Sequence, residues 1–586
     1  MNLGKNGNIS SAIALFERVS ENFPDQIAIY DGDVTLTYSE VNAAAGDLAQ
    51  ELVRRSPIKR EEPIGLLMDR SADIIIAVLA VWKAGGCYVP LSLKDPPSRL
   101  NDHISSLGVT RIVSDKKIET HATDINGVTF IHKRDEAALQ KPLETDVNSE
   151  SLAYVMFTSG STGRPKAVGT THANLVELVR GCEAVTSARS VRTLFHSPYT
   201  FDASTFELWL PLLTGGSVII APAGDLDFGL LPSYICRYGV TTMFLTTGLF
   251  HYFADENPDA FNKLHTLFVG GEVVQTSAVK NVLSYCPGLR LLNCYGPTET
   301  TTFATTYDVS ARGIPKSSLP IGTPLDHVST YVLDAELRPT KINEVGELYI
   351  GGGGVARGYL GLPAMSSERF VANPFSGKGA RMYRTGDLVY IDSDSYLIFQ
   401  GRSDHQLKIR GFRVEPAEIE ALLLQLPEVN QVIVKGFPGR DGSNFLVAYI
   451  VGVESSSVRA ELLAYLSAKL PSYMVPAYVE FIKELPLTEN GKVDRTALLE
   501  PEVVTGRGGG SYDHYQTLVL RVFEEVLEKE ELGLNDDFFA LGGHSLLAAK
   551  IVARLRKLTT PKISMRDIFD APNILELAKL IEARSH

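Results

Sequence analysis

The stretch FTSGSTGRPKAVGTTHANL, at residues 157–175, decides the fold prediction. It overlaps the end of the apolar run AYVMF, which predicts a buried strand that leads into a loop. The loop combines hydroxyl side chains, glycines and a lysine, and such a loop can surround phosphate with backbone N–H and hydroxyl donors. It is not a Walker A motif, because Gly160, Gly163 and Lys166 have a different spacing. The loop alone leaves open the alternative of a solvated Ser/Thr/Gly turn.

Helical patterns alternate with short apolar runs on both sides of this loop. LTYSEVNAAAGDLAQELVRR at residues 36–55 predicts a helix and PIGLLM at residues 63–68 a strand. DIIIAVLAVWKAGG followed by CYVPL repeats the alternation. Such alternation is typical of layered α/β domains, so we predict a large α/β core over residues 1–403.

The carboxyl-terminal part predicts two smaller units joined by a linker. GRSDHQLKIRGFRVEPAEIE runs from turn residues into a strand pattern and then a helix, which predicts a small α+β domain over residues 404–499. EPEVVTGRGGGS has a glycine triplet and few large apolar residues, so residues 500–511 are predicted to be a flexible linker. TLVLRVFEEVLEK, SLLAAKIVARLRKL and NILELAKLIEAR are amphipathic, and they predict an all-α bundle over residues 512–586.

Composition argues against several classes of protein. A length of 586 residues exceeds the roughly 250–300 at which single cores stop growing, so several domains are expected. The net charge of −13 argues against nucleic-acid and anionic-membrane partners. The scattered cysteines match neither a disulfide framework nor a zinc site, and the amino terminus lacks the apolar region of a signal peptide. No apolar run approaches the roughly 20 residues that span a bilayer, and we expect a cytoplasmic protein.

Three further motifs supply groups that nucleotide chemistry needs. NCYGPTETT at residues 293–301 places an aromatic ring, a hydroxyl and a carboxylate within five residues, which suits stacking on a base, contacting phosphate and holding Mg²⁺. YRTGDLVY presents Asp387 at a strand-turn position, where its carboxylate can accept both ribose hydroxyls. PLTENGKVDR presents Lys492 from a turn, although NGK alone is an ordinary surface turn.

Together these motifs resemble those of adenylate-forming enzymes, most closely the adenylation domains of nonribosomal peptide synthetases. The resemblance covers about residues 10–500 and includes LTYSEVN, KAGGCYVPL, GELYIGGGGVARGYL and GRSDHQLKIRGFRVE. It implies a luciferase-like core of layered sheets and helices with a small, mobile α+β subdomain. Three positions depart from the family pattern: Asp-Pro is missing after YVP, Ser395 replaces a glycine, and Phe399 replaces a tyrosine. The last change removes one polar contact near the ribose.

The tail DDFFALGGHSLLAAKIVARL resembles a peptidyl carrier domain, a four-helix bundle. In that family the serine after Gly-Gly-His accepts 4′-phosphopantetheine, which here is Ser545. Ser545 also suits the N-cap of the helix that begins with LLAAK, so capping is the alternative. Beside an adenylation domain we predict attachment. The implied cofactors are therefore ATP, Mg²⁺ and 4′-phosphopantetheine held covalently by Ser545.

The resemblance implies an ATP-dependent amino-acid-adenylating ligase. Such an enzyme makes an aminoacyl-AMP and pyrophosphate, and then forms a thioester on its carrier domain for nonribosomal peptide or related natural-product biosynthesis. Lys492, Thr298 and Glu299 are the expected catalytic residues: Lys492 bridges the substrate carboxylate and the ribose-phosphate region, Thr298 contacts the α-phosphate, and Glu299 binds Mg²⁺. The expected ATP- and AMP-binding residues are Thr158, Ser159, Gly160, Ser161, Thr162, Gly163, Lys166, Asn293, Tyr295, Asp387, Phe399 and Arg402. Within this set Tyr295 is expected to stack on adenine.

Substrate selection is expected in a pocket with one anionic end and apolar walls. Its residues, carried over from the family, are Asp202, Ala203, Phe206, Phe244, Phe268, Gly270, Cys294, Thr302 and Phe303, with Lys492 as the tenth. A buried carboxylate needs a partner, so Asp202 implies a substrate ammonium and hence an α-amino acid. The phenylalanines narrow the pocket, which favours valine or isoleucine as the substrate. The alternative is that these phenylalanines are ordinary core residues.

The two half-reactions imply a movement and a set of partners. By resemblance the small domain rotates about Asp404, which exchanges Lys492 for the loop of residues 408–411. The expected partners are the amino acid, a phosphopantetheinyl transferase, downstream condensation or tailoring enzymes, and an MbtH-like helper protein as a further candidate. An acyl- or aryl-CoA ligase and a non-catalytic interaction module are the alternatives. The sequence leaves open whether the chain is a stand-alone loading didomain or an excised module.

Overall fold

The computed structural model describes most of the chain. The described residues are 11–585, except 55, 116–124, 126, 133–142, 144–145, 161–162, 187–189, 225–226, 316–317, 405, 440–443, 489–492, 502–511, 540 and 561–562. The predicted linker lies almost wholly outside them.

A sheet of seven described strands carries the loop of residues 159–165. Across the sheet the strands are β18 (Gly358–Tyr359), β8 (Lys166–Thr171), β7 (Leu152–Thr158), β4 (Cys87–Pro90), β3 (Pro63–Leu67), β5 (Arg111–Ser114) and β6 (Thr129–Ile131). Strands β7 and β8 are antiparallel and the loop joins them, while β4, β3, β5 and β6 are parallel. The loop therefore projects from one end of a hairpin at which a buried strand stops.

A second sheet, of nine described strands, carries the substrate-pocket residues. Across the sheet the strands are β15 (Thr323–Pro324), β14 (Thr305–Asp308), β13 (Arg290–Tyr295), β12 (Thr266–Gly270), β11 (Thr242–Thr246), β9 (Arg192–Phe195), β10 (Ser217–Ile220), β1 (Ile27–Asp31) and β2 (Val34–Thr37). Its central strands are parallel, so their carboxyl ends meet at one edge. The pairing places Phe244 beside Phe268, and Gly270 beside Cys294.

Helices pack between and around these sheets. They are α1 (Ala12–Asn22), α2 (Tyr38–Arg54), α3 (Ala72–Lys83), α4 (Pro97–Leu107), α5 (His172–Val185), α6 (Ala203–Thr214), α7 (Leu231–Tyr238), α8 (Thr247–Glu256), α9 (Thr276–Tyr285), α10 (Val309–Arg312) and α11 (Pro363–Arg369). Residues 74–82 of α3 are all buried, as expected for a helix that is apolar on every side. Trp82 of α3 packs against Trp209 of α6, with ring centroids 4.5 Å apart, inside one apolar cluster shared by strands of both sheets.

An antiparallel sheet completes the core. Its strands are β16 (Val328–Leu333), β17 (Gly346–Gly352), β20 (Arg381–Ile391), β19 (Phe370–Ala372) and β21 (Leu397–Arg402). Strands β20 and β21 pair so that Asp387 lies opposite Arg402. Two of the predicted nucleotide-site residues are thus cross-strand neighbours.

The part that follows β21 builds a small α+β unit and a helical bundle. The small unit contains β22 (Leu407–Ile409), β23 (Phe412–Val414), β24 (Val429–Pro438), β25 (Asn444–Gly452), β26 (Tyr478–Phe481), α12 (Pro416–Leu423) and α13 (Ser456–Ser467). The bundle contains α14 (His514–Leu527), α15 (Ser545–Leu558), α16 (Met565–Asp570) and α17 (Ile574–Ser585). Each unit has its own apolar cluster, the bundle around Phe523 and Ile551 and the small unit around Ile419 and Val434. The domain boundaries given above stay predictions. Among the described residues no helix combines the length and the apolar character needed to cross a bilayer.

One local prediction, the capping alternative for Ser545, is wrong. Helix α15 begins at Ser545 itself, and its N-cap is His544, whose side chain makes no capping hydrogen bond. The backbone of His544 is still extended, with φ −151° and ψ 173°, so the Gly-Gly-His turn ends one residue before the serine. The hydroxyl of Ser545 therefore has no capping role, and the residue is exposed.

Candidate active site

The loop between β7 and β8 has the properties of a phosphate-binding loop. The Oγ1 atom of Thr158 is buried and has no hydrogen-bond partner within the described part of the chain. A Cβ atom added to Gly160 would lie 1.7 Å from the carbonyl oxygen of Arg164, so only glycine fits there. Gly163 has φ +80°, a conformation that favours glycine. Ser161 and Thr162, predicted to belong to this loop, lie outside the described residues.

Residues of the small unit contact this loop. The carboxylate of Glu418 accepts a hydrogen bond from the backbone N–H of Gly160 at 3.2 Å and pairs with Arg99 of α4 at 2.8 Å. The ammonium of Lys166 lies 3.2 Å from the carboxylate of Glu415. Burial lowers the pKa of Lys166, and the nearby carboxylates oppose that shift. Two carboxylates thus lie against the groups that are predicted to hold phosphates.

The hydroxyl of Ser159 donates to the carbonyl oxygen of Arg413 at 2.8 Å, which adds a third contact from the small unit. The sequence motifs did not predict roles for Arg413, Glu415 and Glu418 at this loop. All three are present in the quoted run GFRVEPAEIE, where they alternate with apolar residues such as Val414 and Ile419 that enter the small unit's core. That alternation was the signal that could have indicated a charged face.

Glu299 is fully buried beside the loop. Its carboxylate forms two hydrogen bonds with Arg413, at 2.7 and 2.9 Å, and accepts one from the Tyr359 hydroxyl at 2.7 Å. Burial alone would raise the pKa of Glu299, but Arg413 and Lys166 outweigh it and lower the pKa to about 2. An ionised carboxylate next to the predicted phosphate loop fits Mg²⁺, which proteins usually bind through one or two carboxylates together with substrate phosphates.

A cavity of about 460 Å³ lies between the core and the small unit. This volume suits a small-molecule ligand. Among the residues that line it are Asn293, Tyr295, Asp387, Phe399, Arg402 and Lys408. The structure therefore brings together the predicted adenine and ribose residues at one cavity.

Polar contacts fix the side chains at this cavity. The hydroxyl of Tyr295 donates to Asp387 at 2.5 Å, and Arg402 donates to the other carboxylate oxygen of Asp387 at 2.5 Å. The side-chain amide of Asn293 donates to the carbonyl oxygen of Pro320 at 2.7 Å. Arg402 also pairs with Asp404 at 2.7 Å, so the predicted hinge residue is tied to the ribose side of the cavity.

The loop between β22 and β23 enters the same region. The Lys408 ammonium lies 5.6 Å from the ring centroid of Tyr295, and burial lowers its pKa. The backbone N–H of Gly411 donates to the carboxylate of Glu272 at 2.6 Å. Lys492, predicted to leave the site when this loop enters, lies outside the described residues.

The predicted amino-acid pocket begins at Asp202, just before α6. Its carboxylate is buried and accepts a hydrogen bond from the hydroxyl of Thr298 at 2.7 Å. Burial raises the pKa of Asp202 to about 6. Thr302 donates to the backbone carbonyl of Asp202 at 3.1 Å, which joins this end of the pocket to the NCYGPTETT motif. Ala203 is buried directly after Asp202.

The remaining pocket residues form an aromatic wall. Phe206, Phe244, Phe268 and Phe303 are all buried, and Phe303 contacts the other three with ring centroids 5.3 to 5.9 Å apart. A Cβ atom on Gly270 would lie 2.3 Å from the carbonyl oxygen of Cys294, so no side chain fits there. The wall is apolar and compact, with one carboxylate at its edge.

The helical bundle contacts both other units near Ser545. The hydroxyl of Tyr478 in β26 donates to the carbonyl oxygen of Leu541 at 3.0 Å, and Lys529 donates to that same hydroxyl oxygen at 3.1 Å. Leu546 and Ala549, just after Ser545, pack against an apolar cluster of the core. These contacts hold the exposed serine between the core and the small unit.

Comparison with known proteins identifies this arrangement. The sequence model for AMP-binding enzymes matches residues 16–360, which is more than half of the chain. The chain belongs to the AMP-binding enzyme family. The model for the C-terminal domain of this family matches residues 418–492, and the model for the phosphopantetheine attachment site matches residues 517–581.

Two relatives match this chain over almost its whole length. Malpibaldin synthetase from Mortierella alpina is 38% identical over 585 residues, which cover 97% of this chain and 10% of that protein. A dimodular nonribosomal peptide synthase from Bacillus subtilis (strain 168) is 37% identical over 601 residues, covering 97% of this chain and 25% of that protein. The chain therefore spans a quarter or less of these two relatives.

A solved structure matches nearly the whole chain. It is holo-PA1221, a nonribosomal peptide synthetase protein that contains adenylation and PCP domains and is bound to a vinylsulfonamide inhibitor. The TM-score is 0.87 at 29% identity, and the match covers 98% of this chain and 97% of that chain.

These comparisons confirm the predicted fusion of an adenylation domain with a peptidyl carrier domain and the predicted fold class. They also confirm the predicted class of enzyme, an ATP-dependent amino-acid-adenylating ligase with carrier thioesterification, and its cofactors ATP, Mg²⁺ and 4′-phosphopantetheine. The roles of single residues and the cytoplasmic location stay predictions.

Proposed function

We propose that this enzyme activates valine or isoleucine as an aminoacyl-AMP and loads it on its own carrier domain for the synthesis of a nonribosomal peptide. The observation that carries the proposal is the buried carboxylate of Asp202 at the edge of a compact phenylalanine wall. A carboxylate in such surroundings needs a cation, and the ammonium of an α-amino acid supplies one. An aliphatic side chain then fills the apolar space, in which a charged side chain would have no partner.

Adenylation requires the amino-acid carboxylate to attack the α-phosphorus while the bond to pyrophosphate breaks. In this proposal Lys166 and the backbone N–H groups of the loop neutralise the phosphate charge during that step. Glu299 would hold Mg²⁺, which would supply further positive charge for the leaving pyrophosphate. Tyr295 and Asp387 hold the adenosine part, and Lys492 faces the reacting carboxylate in the arrangement proposed for this step.

The second step uses a different arrangement of the small domain. In the structure Glu415 and Glu418 lie against the loop, and Arg413 pairs with Glu299. The carboxylates and the phosphates of ATP are all negatively charged and repel one another at close range. These carboxylates therefore compete with the phosphates for the loop. The contacts support the proposal that this arrangement follows the departure of pyrophosphate, with rotation about Asp404 between the two steps.

The carrier residue Ser545 suits its proposed role. It is exposed at the start of α15, and its hydroxyl is not needed as a cap. When bound there, 4′-phosphopantetheine supplies the thiol that accepts the acyl group. The fused carrier domain and Asp202 favour this reading over that of a ligase for soluble coenzyme A.

Amino-acid-dependent exchange of labelled pyrophosphate into ATP, measured across the twenty amino acids, tests the proposal. Valine and isoleucine should give the highest rates, and the two should overlap, because one methylene in an apolar pocket is worth only about 1–3 kcal/mol. A clear preference for an aromatic or charged amino acid would overturn the pocket assignment. Acyl transfer to soluble coenzyme A by the intact enzyme, with no loading of the carrier, would favour the ligase alternative.

A further inference from the structure

The last turn of α8 ends in two carboxylates. Asp255 and Glu256 close this helix, and no basic residue lies in its last turn. Carboxylates at a helix C-terminus repel the partial negative charge of the unpaired carbonyl groups there. Asp227, the N-cap of the short 3₁₀ helix Phe228–Leu230, lines the same cavity as Glu256 and adds a third carboxylate. We call Asp227, Asp255 and Glu256 the acidic edge. Repulsion between these negative charges destabilises the core unless cations lie close to them.

Helix α15 of the carrier domain meets the acidic edge with basic side chains. The ion pairs are Lys550–Asp255 at 2.9 Å, Arg554–Glu256 at 2.9 Å, Arg556–Asp227 at 2.9 Å and Lys557–Glu256 at 3.2 Å. Lys550, Arg554 and Lys557 follow the spacing that places side chains on one face of a helix. The two surfaces are therefore complementary in charge at these four ion pairs.

Glu256 is the centre of this contact. Its side chain is 7% exposed and binds two cations, whereas the side chains of Asp255 and Asp227 are 55% and 34% exposed. Electrostatic interactions strengthen as water is excluded. Among the three carboxylates, a change of charge at Glu256 should therefore have the largest effect on docking of the carrier.

The contact also has an apolar part. Leu546, Ala549 and Ala553 of α15 pack against the core cluster that contains Leu249 and Phe253. A cavity of about 390 Å³ remains between α8 and α15. An incompletely filled contact suits a carrier that must leave the core, whereas charged groups govern how fast and how selectively it docks.

Building on the proposed function, we propose that the acidic edge selects the carrier domain by charge. The core accepts for loading a carrier whose second helix is basic at the positions of Lys550, Arg554, Arg556 and Lys557, and it rejects one that is acidic there. Because Ser545 begins the same helix, the ion pairs also fix the attachment point relative to the active site.

Charge reversal in the full-length protein tests this proposal. After modification by a phosphopantetheinyl transferase, the single-turnover rate of loading with labelled amino acid is measured and normalised to the modified fraction. Glu256→Lys should slow loading by about 10- to 100-fold, because like charges then face each other at the contact. Combining it with Lys557→Glu, which reverses a residue whose ion pair in the described chain is with Glu256, should restore the rate to within a few fold of the wild type.

Two controls separate charge selection from misfolding. Asp259→Lys makes the same change of charge just beyond α8, at an exposed residue for which the described chain shows no ion pair with the carrier, and it should leave loading unchanged. Pyrophosphate exchange should be unchanged in Glu256→Lys, which reports an intact core. Raising the ionic strength should slow loading in the wild type and speed it in Glu256→Lys, since salt screens attraction and repulsion alike.

The outcomes are distinct. Wild-type loading in Glu256→Lys, or failure of the combined reversal to restore loading, would overturn charge selection. If the reversed carrier escapes modification, the reciprocal pair Asp255→Lys with Lys550→Glu provides the same rescue test. Absence of pyrophosphate exchange in the wild type with every amino acid would instead contradict the proposed function itself.

Discussion

Replacing Asp202 by asparagine should stabilise the core and disable it as an enzyme. Burial raises the pKa of Asp202 from 3.8 to about 6, which means that the folded protein disfavours the ionised form. One unit of pKa corresponds to about 1.36 kcal/mol, so ionisation of this group costs the folded state about 3 kcal/mol at neutral pH. Asparagine is nearly the same size, can accept the same hydrogen bond from Thr298, and carries no charge.

The raised pKa of Asp202 determines how the stability difference between Asp202→Asn and the wild type depends on pH. Below about pH 4 the carboxyl is protonated in both the folded and the unfolded chain, so Asp202→Asn should match the wild type. Between about pH 4 and 6 the folded state binds more protons, and the stability of the wild type falls as the pH rises. Above pH 6 the full difference of about 3 kcal/mol should be present.

Unfolding in urea, followed by circular dichroism at several pH values without substrate, measures this difference. Asp259→Asn, at an exposed site, is the matched control and should show no such gap. The same Asp202→Asn variant should lose roughly 30-fold or more in amino-acid-dependent pyrophosphate exchange, because the ammonium loses its buried partner. The reasoning would be refuted if Asp202→Asn were no more stable than the wild type at pH 7.5, or if its gain in unfolding free energy over the wild type increased as the pH falls.

Three further variants separate the proposed steps. Ser545→Ala should keep pyrophosphate exchange but gain no mass from a phosphopantetheinyl transferase and coenzyme A, and it should load nothing; any covalent loading would contradict the carrier assignment. Lys492→Ala should strongly slow adenylate formation yet slow transfer from preformed aminoacyl-AMP much less, and equal losses in the two half-reactions would count against its assignment to the first. Glu418→Gln removes the carboxylate that pairs with the buried cation of Arg99 in the arrangement described here, so transfer to the carrier should fall about tenfold or more while exchange stays within about twofold. A parallel loss of exchange would show that Glu418 serves both arrangements.

Local patterns predicted the elements that carry the site. The helix pattern at residues 36–55 corresponds to α2, and SLLAAKIVARLRKL corresponds to α15 over its full length. Two of the quoted motifs lie where a strand meets a turn: the loop after β7, and the NCYGPTETT run at the end of β13. Periodicity and turn chemistry act over a few residues, so the sequence reports them directly.

Contacts between units were not predictable in this way. The pairing of Glu418 with Gly160 and Arg99, and that of Glu256 with Arg554, joins residues hundreds of positions apart. Such pairings depend on how whole units are packed, and no local pattern encodes that. The capping alternative for Ser545 was wrong for a related reason: the extended backbone of His544 is set by the preceding turn, whereas a propensity argument considers only which side chain can cap.

The contact between Trp82 and Trp209 gives this enzyme an internal optical probe. The sequence has two tryptophans, and both lie in the apolar centre of the adenylation core, with rings 4.5 Å apart. The small unit and the carrier contain tyrosine but no tryptophan. Emission excited selectively from tryptophan therefore follows the core alone, and Trp209 lies on α6, the helix that begins just after Asp202. A change of this emission with denaturant concentration therefore reports the unfolding of the substrate pocket. Far-ultraviolet ellipticity at the same concentration also includes the signal of the carrier's helices, so the two measurements together distinguish unfolding of the core from unfolding of the carrier.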